Sequence, residues 1–449
     1  MNGMIGVTTD MWKDPKGRDF ISITMHYIVE SGMKSRVASV KQFNEDKKSG
    51  INIRQALEIT FLDLGFESEM MSKNMFFVTD QGSNIRLALS NYQRIPCACH
   101  IIATILRHLL QLDHLSCTTL AMDSDSTGML HVTAIRRTVT AIKELTTYMR
   151  RSRSNLTAAL KQSNETRWNS LFIMLESYIK LKDEVECVLK ERGQLQRLDA
   201  IDNSIVMTLI AFLQPFKEAT EYLEGDTYPT IHRVIMWKEK LLRCMTACPT
   251  DSGLLKFLKS RGIRCISEKF EISSIHMIAL FLNPKFKSLV ALPDRRDKIH
   301  SETKALLNEF FPSIERLPTN DHTYILGQVE ATHKSIDDGF LDWQQSSEAK
   351  QYNDEVEKYC VTDFENLEKY FDEVDQFNIL SFWENRVIQR EYPRLCRLAR
   401  GVLSIPASSA SSERAFSYCG NALSKKRMRL SASTVESLAV VHSTLKNQS

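Results

Sequence analysis

No stretch of this 449-residue sequence is apolar for long enough to cross a membrane. The best candidate, Ile205 to Phe216, is interrupted by Thr208, Gln214 and Pro215 and falls short of the roughly 18 apolar residues a span requires. No basic region followed by an apolar core and a cleavage site is present, so no secretion signal is expected. The ten cysteines are scattered at irregular spacing, which reads as reduced thiols rather than a disulfide framework. A Cys-x-x-Cys…His-x-x-x-His pattern is lacking, as are internal repeats and long low-complexity tracts. Net charge is only +3, but from Arg386 onward 11 Lys+Arg face 3 acidic residues, a net of +8, leaving −5 on the rest. A basic C-terminal segment on a mildly acidic body points to a polyanion partner or to a solvated helix face.

What is present is an α/β pattern at the start and helical periodicity afterwards. Met4–Thr9, Phe20–Val29 and Arg36–Phe43 read as three consecutive strands, the second with Ile21, Ile23, Met25 and Tyr27 on one face. A helix carrying Ile53, Leu57 and Leu64 follows, then a strand over Met75–Thr79, a helix over Gly82–Ser90, a strand over Arg94–Cys97 and a helix over Cys99–Leu112. Three antiparallel strands with the fourth crossing over to lie beside the first give a ribonuclease-H-like sheet. Helical stripes dominate from about residue 105 to 390, which predicts a large all-α insertion. The expected domains are therefore 1–105, the insertion 106–385 and a C-terminal completion 386–449. The acidic stretch Asp354–Asp375 reads as a linker or exposed helix. Pro393 suits a first helical turn, ahead of an apolar face at Leu395, Leu398, Ala399, Val402 and Leu403. Pro406 stops that helix and serines 408–412 offer N-caps for the next. Gly420 is its expected terminator, and Val435, Leu438 and His442 mark a last amphipathic helix.

In that layout Asp10 and Asp80 end neighbouring strands, and Glu413 sits in a helical first turn. Two strand-end aspartates and a helix-borne glutamate suit a two-metal phosphoryl-transfer site, because Mg2+ or Mn2+ takes hard carboxylate oxygens and leaves positions for water and phosphate. Each residue alone has a plain structural reading as a turn starter, a cap or a macrodipole partner. Cys97-x-x-His100 has the spacing of half a zinc site, but no second half is evident, so zinc is not expected in this chain. Lys425, Lys426, Arg427 and Arg429 form a run that reads as phosphate contact, nuclear import or a solvated face.

The neighbourhoods of these residues are specific. They include Asp10-Met11-Trp12, Thr79-Asp80…Asn84, Cys97-x-x-His100, Thr166-Arg167-Trp168-Asn169-Ser170, Leu282-Asn283-Pro284-Lys285-Phe286-Lys287, Phe377 to Trp383 and Tyr392-Pro393-x-Leu395. They close with Ile405-Pro406-Ala407-Ser408-Ser409…Ser412-Glu413-Arg414…Phe416-Ser417 and the basic run. Through them the chain resembles, nearly end to end, the hAT (hobo/Activator) superfamily of DNA transposases and their domesticated relatives with BED zinc fingers.

The resemblance implies that Asp10, Asp80 and Glu413 are a catalytic triad holding two divalent metals for DNA strand cleavage and transfer. It implies that Trp168 stacks on a flipped base, although a buried tryptophan at a helix start is the simpler alternative. It places Arg167 and His100 near DNA. It implies a homodimer or higher oligomer, with Leu395, Leu398, Leu403, Phe416, Val435 and Leu438 expected at the dimer surface. It also implies a nuclear location. No finger precedes Asp10 in these residues, which leaves sequence-specific recognition of transposon ends unexplained. The alternative is a domesticated, non-catalytic nuclear protein that dimerises, binds DNA and regulates transcription.

Overall fold

The computed structural model describes residues 3–446, except 31, 46, 111–125, 153–155, 164–167, 291, 313–353, 365–366, 371–376 and 424–429. The first three strands, β1 (Ile5–Lys13), β2 (Asp19–Val29) and β3 (Gly32–Phe43), form an antiparallel meander. The β1–β2 turn is closed by Asp14, whose carboxylate accepts from the backbone N–H groups of Lys16 and Arg18 and from the Arg18 side chain. Gly17 takes the left-handed conformation there, with φ +82°, which a residue without Cβ adopts at no steric cost.

Helices α1 (Gly50–Asp63) and α2 (Ser68–Asn74) carry the chain across to β4 (Met75–Thr79), and α3 (Ser83–Ala88) leads to β5 (Gln93–Pro96). The sheet order is β3-β2-β1-β4-β5, with β4 parallel to β1 and β5 parallel to β4. The first four strands stand in the order expected from the sequence. One boundary differs: β1 does not stop at Thr9 but runs to Lys13, because its far half pairs with β2 where β4 has already ended.

The sheet is covered on both faces. Val7, Ile21, Ile23 and Phe77 pack against α1 and α3 through Ile53, Leu57, Phe61 and Ile85. On the other face, Phe76, Val78 and Ile95 join a core made by α11 (Ser274–Phe281), α12 (Arg296–Phe310), α13 (Glu355–Val361), α14 (Ile379–Glu384), α15 (Arg386–Glu391) and α16 (Pro393–Leu403). A separate helical core is built by α4 (Ala98–Leu110), α5 (Ser126–Arg151), α6 (Trp168–Lys180), α7 (Lys182–Glu191), α8 (Asn203–Leu223), α9 (Val234–Cys244) and α10 (Gly253–Lys269). The cores thus change over mainly between Phe270 and Ile275, with Ile231 and Ile235 already in the sheet-side core and Ala407 reaching back to the helical one.

The last two helices, α17 (Ala410–Ala422) and α18 (Ala432–Lys446), cover β2 and β3 through Phe20, Val40, Phe416, Cys419, Val435 and Ala439. Gly420 lies inside α17, which runs on to Ala422, so it does not terminate the helix as expected. Glu355, in the stretch read as a linker, has a structural role. Its carboxylate accepts from the Arg394 and Leu395 backbone N–H groups and caps the start of α16, whose first residue is Pro393.

Several motif residues turn out to hold these helices together. Leu282 accepts a hydrogen bond from the buried Trp383 indole, and Asn283 is fully buried in its own turn. Lys287 donates to the carbonyls of Tyr359 and Cys360 and lies over the Phe364 ring.

Candidate active site

The alternation of β1 assigns one of its faces to a single partner. Ile5, Val7 and Met11 point into the α1/α3 core, so Gly6, Thr8, Asp10 and Trp12 line the opposite face. Residues 404–416 run along that face in register. A Cβ on Gly6 would lie 2.7 Å from the Ser404 carbonyl oxygen and 2.8 Å from Ile405 Cα, so only glycine lets the two backbones come this close. Thr8 Oγ1 hydrogen-bonds Ser411 Oγ and accepts from Ser412 Oγ, both at 2.9 Å. Trp12 stacks on Phe416 with ring centroids 5.7 Å apart. Asp10 lies between Thr8 and Trp12, and Glu413 between Ser412 and Phe416, so the two carboxylates fall at matching points of the track.

Asp80 arrives from the other side. Thr8 pairs with Val78 in the parallel β1–β4 ladder, and two more residues along each strand set Asp10 beside Asp80. The Asp80 carboxylate accepts from the Gly82 N–H at 3.1 Å. Arg94 on β5 fixes the end of β4, donating to Thr79 Oγ1 at 2.9 Å and to the Asp80 carbonyl. No sequence motif singled out Arg94, because its role depends on the β4–β5 register.

Burial and neighbouring charges set the protonation of these groups. Burial, helped by the charges of Asp80 and Glu413, pushes the Asp10 carboxyl up to about 6, against the opposing pull of the Met11 N–H and His100. His100 on α4 brings Nε2 to 3.9 Å from Glu413 Oε1. Its Nδ1 is 3.3 Å from Cys97 Sγ, which also accepts from the Ser409 N–H at 3.3 Å. Burial opposes protonation of His100, but Cys97, Glu413 and Asp80 together carry it up to about 10. Burial likewise works against the Cys97 thiolate, and hydrogen bonds to Cys99, His100 and Ser409 outweigh it, holding the thiol well below its ordinary range.

Behind the carboxylates lies a polar network that the sequence did not advertise. His26 on β2 is fully buried, with Nε2 3.2 Å from Thr8 Oγ1 and 3.3 Å from Ser411 Oγ, and Nδ1 2.8 Å from Ser35 Oγ. Burial holds it neutral, at about 3, with Asp226 pulling up and Arg414 down. Ser22 pairs directly with Asp10 across β1 and β2, and its buried hydroxyl has no hydrogen-bond partner among the described residues.

The donor set is carboxylate oxygen, the type that Mg2+ and Mn2+ prefer. The unpartnered Ser22 hydroxyl and the crowding of negative charge around Asp10 also suit a cation. Among the described residues, no three His, Cys, Asp or Glu side chains are placed close enough to share one ion, so binding one requires the carboxylates to draw inward.

The remaining expected site residues fall elsewhere. Trp168 begins α6 and packs, half-buried, against the helical core. Arg167, Lys425, Lys426, Arg427 and Arg429 lie outside the described residues. The expected dimer surface needs correction. Leu395, Leu398 and Leu403 are fully buried, and Phe416 and Val435 nearly so, within the chain's own cores, while Leu438 is half-buried. An amphipathic stripe shows that a face is covered but not by what, and here the sheet and neighbouring helices cover it.

Fold and site together define a mixed α/β protein whose acidic site is completed by its C-terminal region. Residues 355–445 match the hAT family C-terminal dimerisation region, and over most of its length the chain is similar to proteins named as transposases. It is 26% identical over 96% of its length to a Zea mays protein named as an AC transposase, covering 55% of that protein. It is 23% identical over 92% of its length to the Drosophila melanogaster Transposable element Hobo transposase, covering 66% of it. The Arabidopsis thaliana Zinc finger BED domain-containing protein DAYSLEEPER is 24% identical over 62% of this chain, with 40% of that protein covered. The chain thus spans little more than half the length of the maize relative and about two thirds of the fly one.

Proposed function

We propose that the chain is the core of a hAT-type transposase, with a ribonuclease-H-like catalytic sheet, the helical core as its insertion and DNA as its substrate. What supports this reading is that Asp80 and Glu413, from distant parts of the sequence, both act electrostatically on Asp10. Bound Mg2+ or Mn2+ would supply Lewis acidity, lowering the pKa of an attacking water or hydroxyl and stabilising the leaving oxygen. Asp10, Asp80 and Glu413 are the residues that would hold it. The rest of the chain positions them: Arg94 fixes the β4 end, Gly82 orients the Asp80 carboxylate, and the Thr8–Ser411–Ser412 hydroxyls tie α17 to β1. His100, carrying a proton, offers a cation beside Glu413 for a phosphate oxygen. Self-association goes with the matched dimerisation region, and a chromosomal DNA substrate implies a nuclear location.

The test is nicking of supercoiled DNA in Mg2+ or Mn2+ by the purified chain beside Asp10→Asn and Glu413→Gln. Activity lost in both variants, with the fold retained, supports the reading. Equal activity in the variants sinks the catalytic assignment. A second reading, a non-catalytic DNA-binding regulator, is favoured by the similarity to proteins named for zinc fingers. It expects DNA binding and dimerisation with no nicking in any variant.

A further inference from the structure

The α5 helix carries five basic residues, Arg136, Arg137, Lys143, Arg150 and Arg151, against a single carboxylate, Glu144. Like charges on one helix repel, and surface helices usually offset them with partners at i±4. Here Lys143, Arg150 and Arg151 have no ion-pair partner among the described residues. Lys143 and Arg151 instead face an open cleft of about 580 Å³, lined also by Glu144, Thr147, Tyr148 and Arg197. Arg197 comes from a 3-10 turn over Leu195–Leu198. Its guanidinium lies 4.0 Å from the Tyr148 ring centroid, and its Nε is held by Gln194.

We propose that this cleft and the α5 face beside it bind the sugar-phosphate backbone of duplex DNA, at a surface separate from the carboxylates. The inference rests on the reading of the chain as a DNA-acting protein and adds a second contact surface to it. The chemistry of the cleft selects the ligand. Thr147 and Ser152 spend their hydroxyl protons on the carbonyls of Lys143 and Met149. The donors left are therefore cationic, which suits phosphate oxygens rather than base edges. The Tyr148 face is already occupied by Arg197, so it is not open for stacking on an unpaired base, which is the usual device of single-strand binders. From Arg137 to Arg151 the helix advances about 21 Å, roughly six base pairs along a duplex axis. The competing explanation is that Arg150 and Arg151 merely complement the macrodipole at the C-terminal end of α5.

The test is salt-dependent binding of a 60-base-pair duplex of arbitrary sequence to the full chain, followed by fluorescence anisotropy. The proteins are wild type, Lys143→Gln/Arg151→Gln/Arg197→Gln, and a control with the same charge change at exposed positions elsewhere, Lys16→Gln/Arg296→Gln/Lys298→Gln. Each lost phosphate contact lowers the slope of log K against log salt by about 0.9. The cleft variant is expected to lose about 2–3 of slope, with an unchanged urea midpoint, while the control keeps the wild-type slope. An unchanged slope in the cleft variant, or an equal loss in the control, overturns this surface and leaves the carboxylate site standing. A wild-type chain that neither binds nor nicks DNA overturns the functional reading and this inference together.

Discussion

Gly6→Ala tests the track along β1 most directly. The new methyl would sit 2.7 Å from the Ser404 carbonyl oxygen and 2.8 Å from Ile405 Cα, where ordinary contact begins near 3.4 Å, a shortfall of about 0.7 Å. Both obstacles are backbone, so no side chain can rotate away. Either β1 or the 404–405 segment must move, at a cost of about 1–3 kcal/mol typical of overpacking. Asp10 is four residues along the same strand and Glu413 eight residues past Ile405. The movement therefore opens the distance between the two carboxylates as well as loosening the core. A misplacement approaching 1 Å at a reacting centre costs about 100-fold in rate. Urea midpoints and supercoiled-DNA nicking should therefore both fall, by amounts that track each other. Gly3→Ala is the control, since nothing lies within 4 Å of a Cβ there. Wild-type midpoint and nicking in Gly6→Ala would refute the close approach and the register built on it.

Other consequences are as open to measurement. His26 is neutral when folded, at about 3, and titrates near 6.5 when unfolded. Its contribution to stability is complete above about 6.5 and is lost as pH falls toward 3, by up to about 1.4 kcal/mol per pH unit. The difference in urea midpoint between wild type and His26→Gln should shrink steadily from pH 7.5 to pH 5, and a constant difference would contradict a buried neutral imidazole. Burial disfavours the Asp10 carboxylate at neutral pH, so Asp10→Asn should raise the urea midpoint in metal-free buffer, by an amount on the order of 1–3 kcal/mol. Mg2+ or Mn2+ should then stabilise the wild type and not the variant, and equal metal stabilisation of both would place the cation elsewhere. Leu398→Ala should cost about 2–5 kcal/mol at any protein concentration, because it hollows a core within one chain. Paired changes of the exposed Val441 and Leu445 to Lys should leave the midpoint alone. Sedimentation showing the reverse pattern would return Leu398 to the dimer surface.

The strand order was legible because period-two alternation and the 3.6-residue stripes are local signals, and Asp10 and Asp80 are set side by side by that order. Thr8, His26 and Ser411 were not legible as a network. A buried histidine looks like any other in a sequence, and the pairing spans 385 residues between His26 and Ser411. Arg94 was missed because only the β4–β5 register gives it something to hold. The stripe at Leu395, Leu398 and Leu403 identified a buried face but not the cover, since the sheet, α11 and a second subunit are equally apolar partners on paper. The same limit applies to α11 through α15, whose stripes read like those of the helical core although they pack on the sheet side.

Thr8 and Ser412 stand 404 residues apart in sequence, and that separation imposes an order of events on synthesis. A ribosome releases β1 through β5 with the Gly6–Trp12 face still bare, and delivers Glu413 hundreds of residues later. Contacts so remote in sequence carry the largest loop-closure cost and form late. Every chain interrupted before residue 413 therefore lacks one of the three carboxylates. A strand-cleaving protein assembled in this way would stay inert toward the genome until residue 413 has been made and docked on β1.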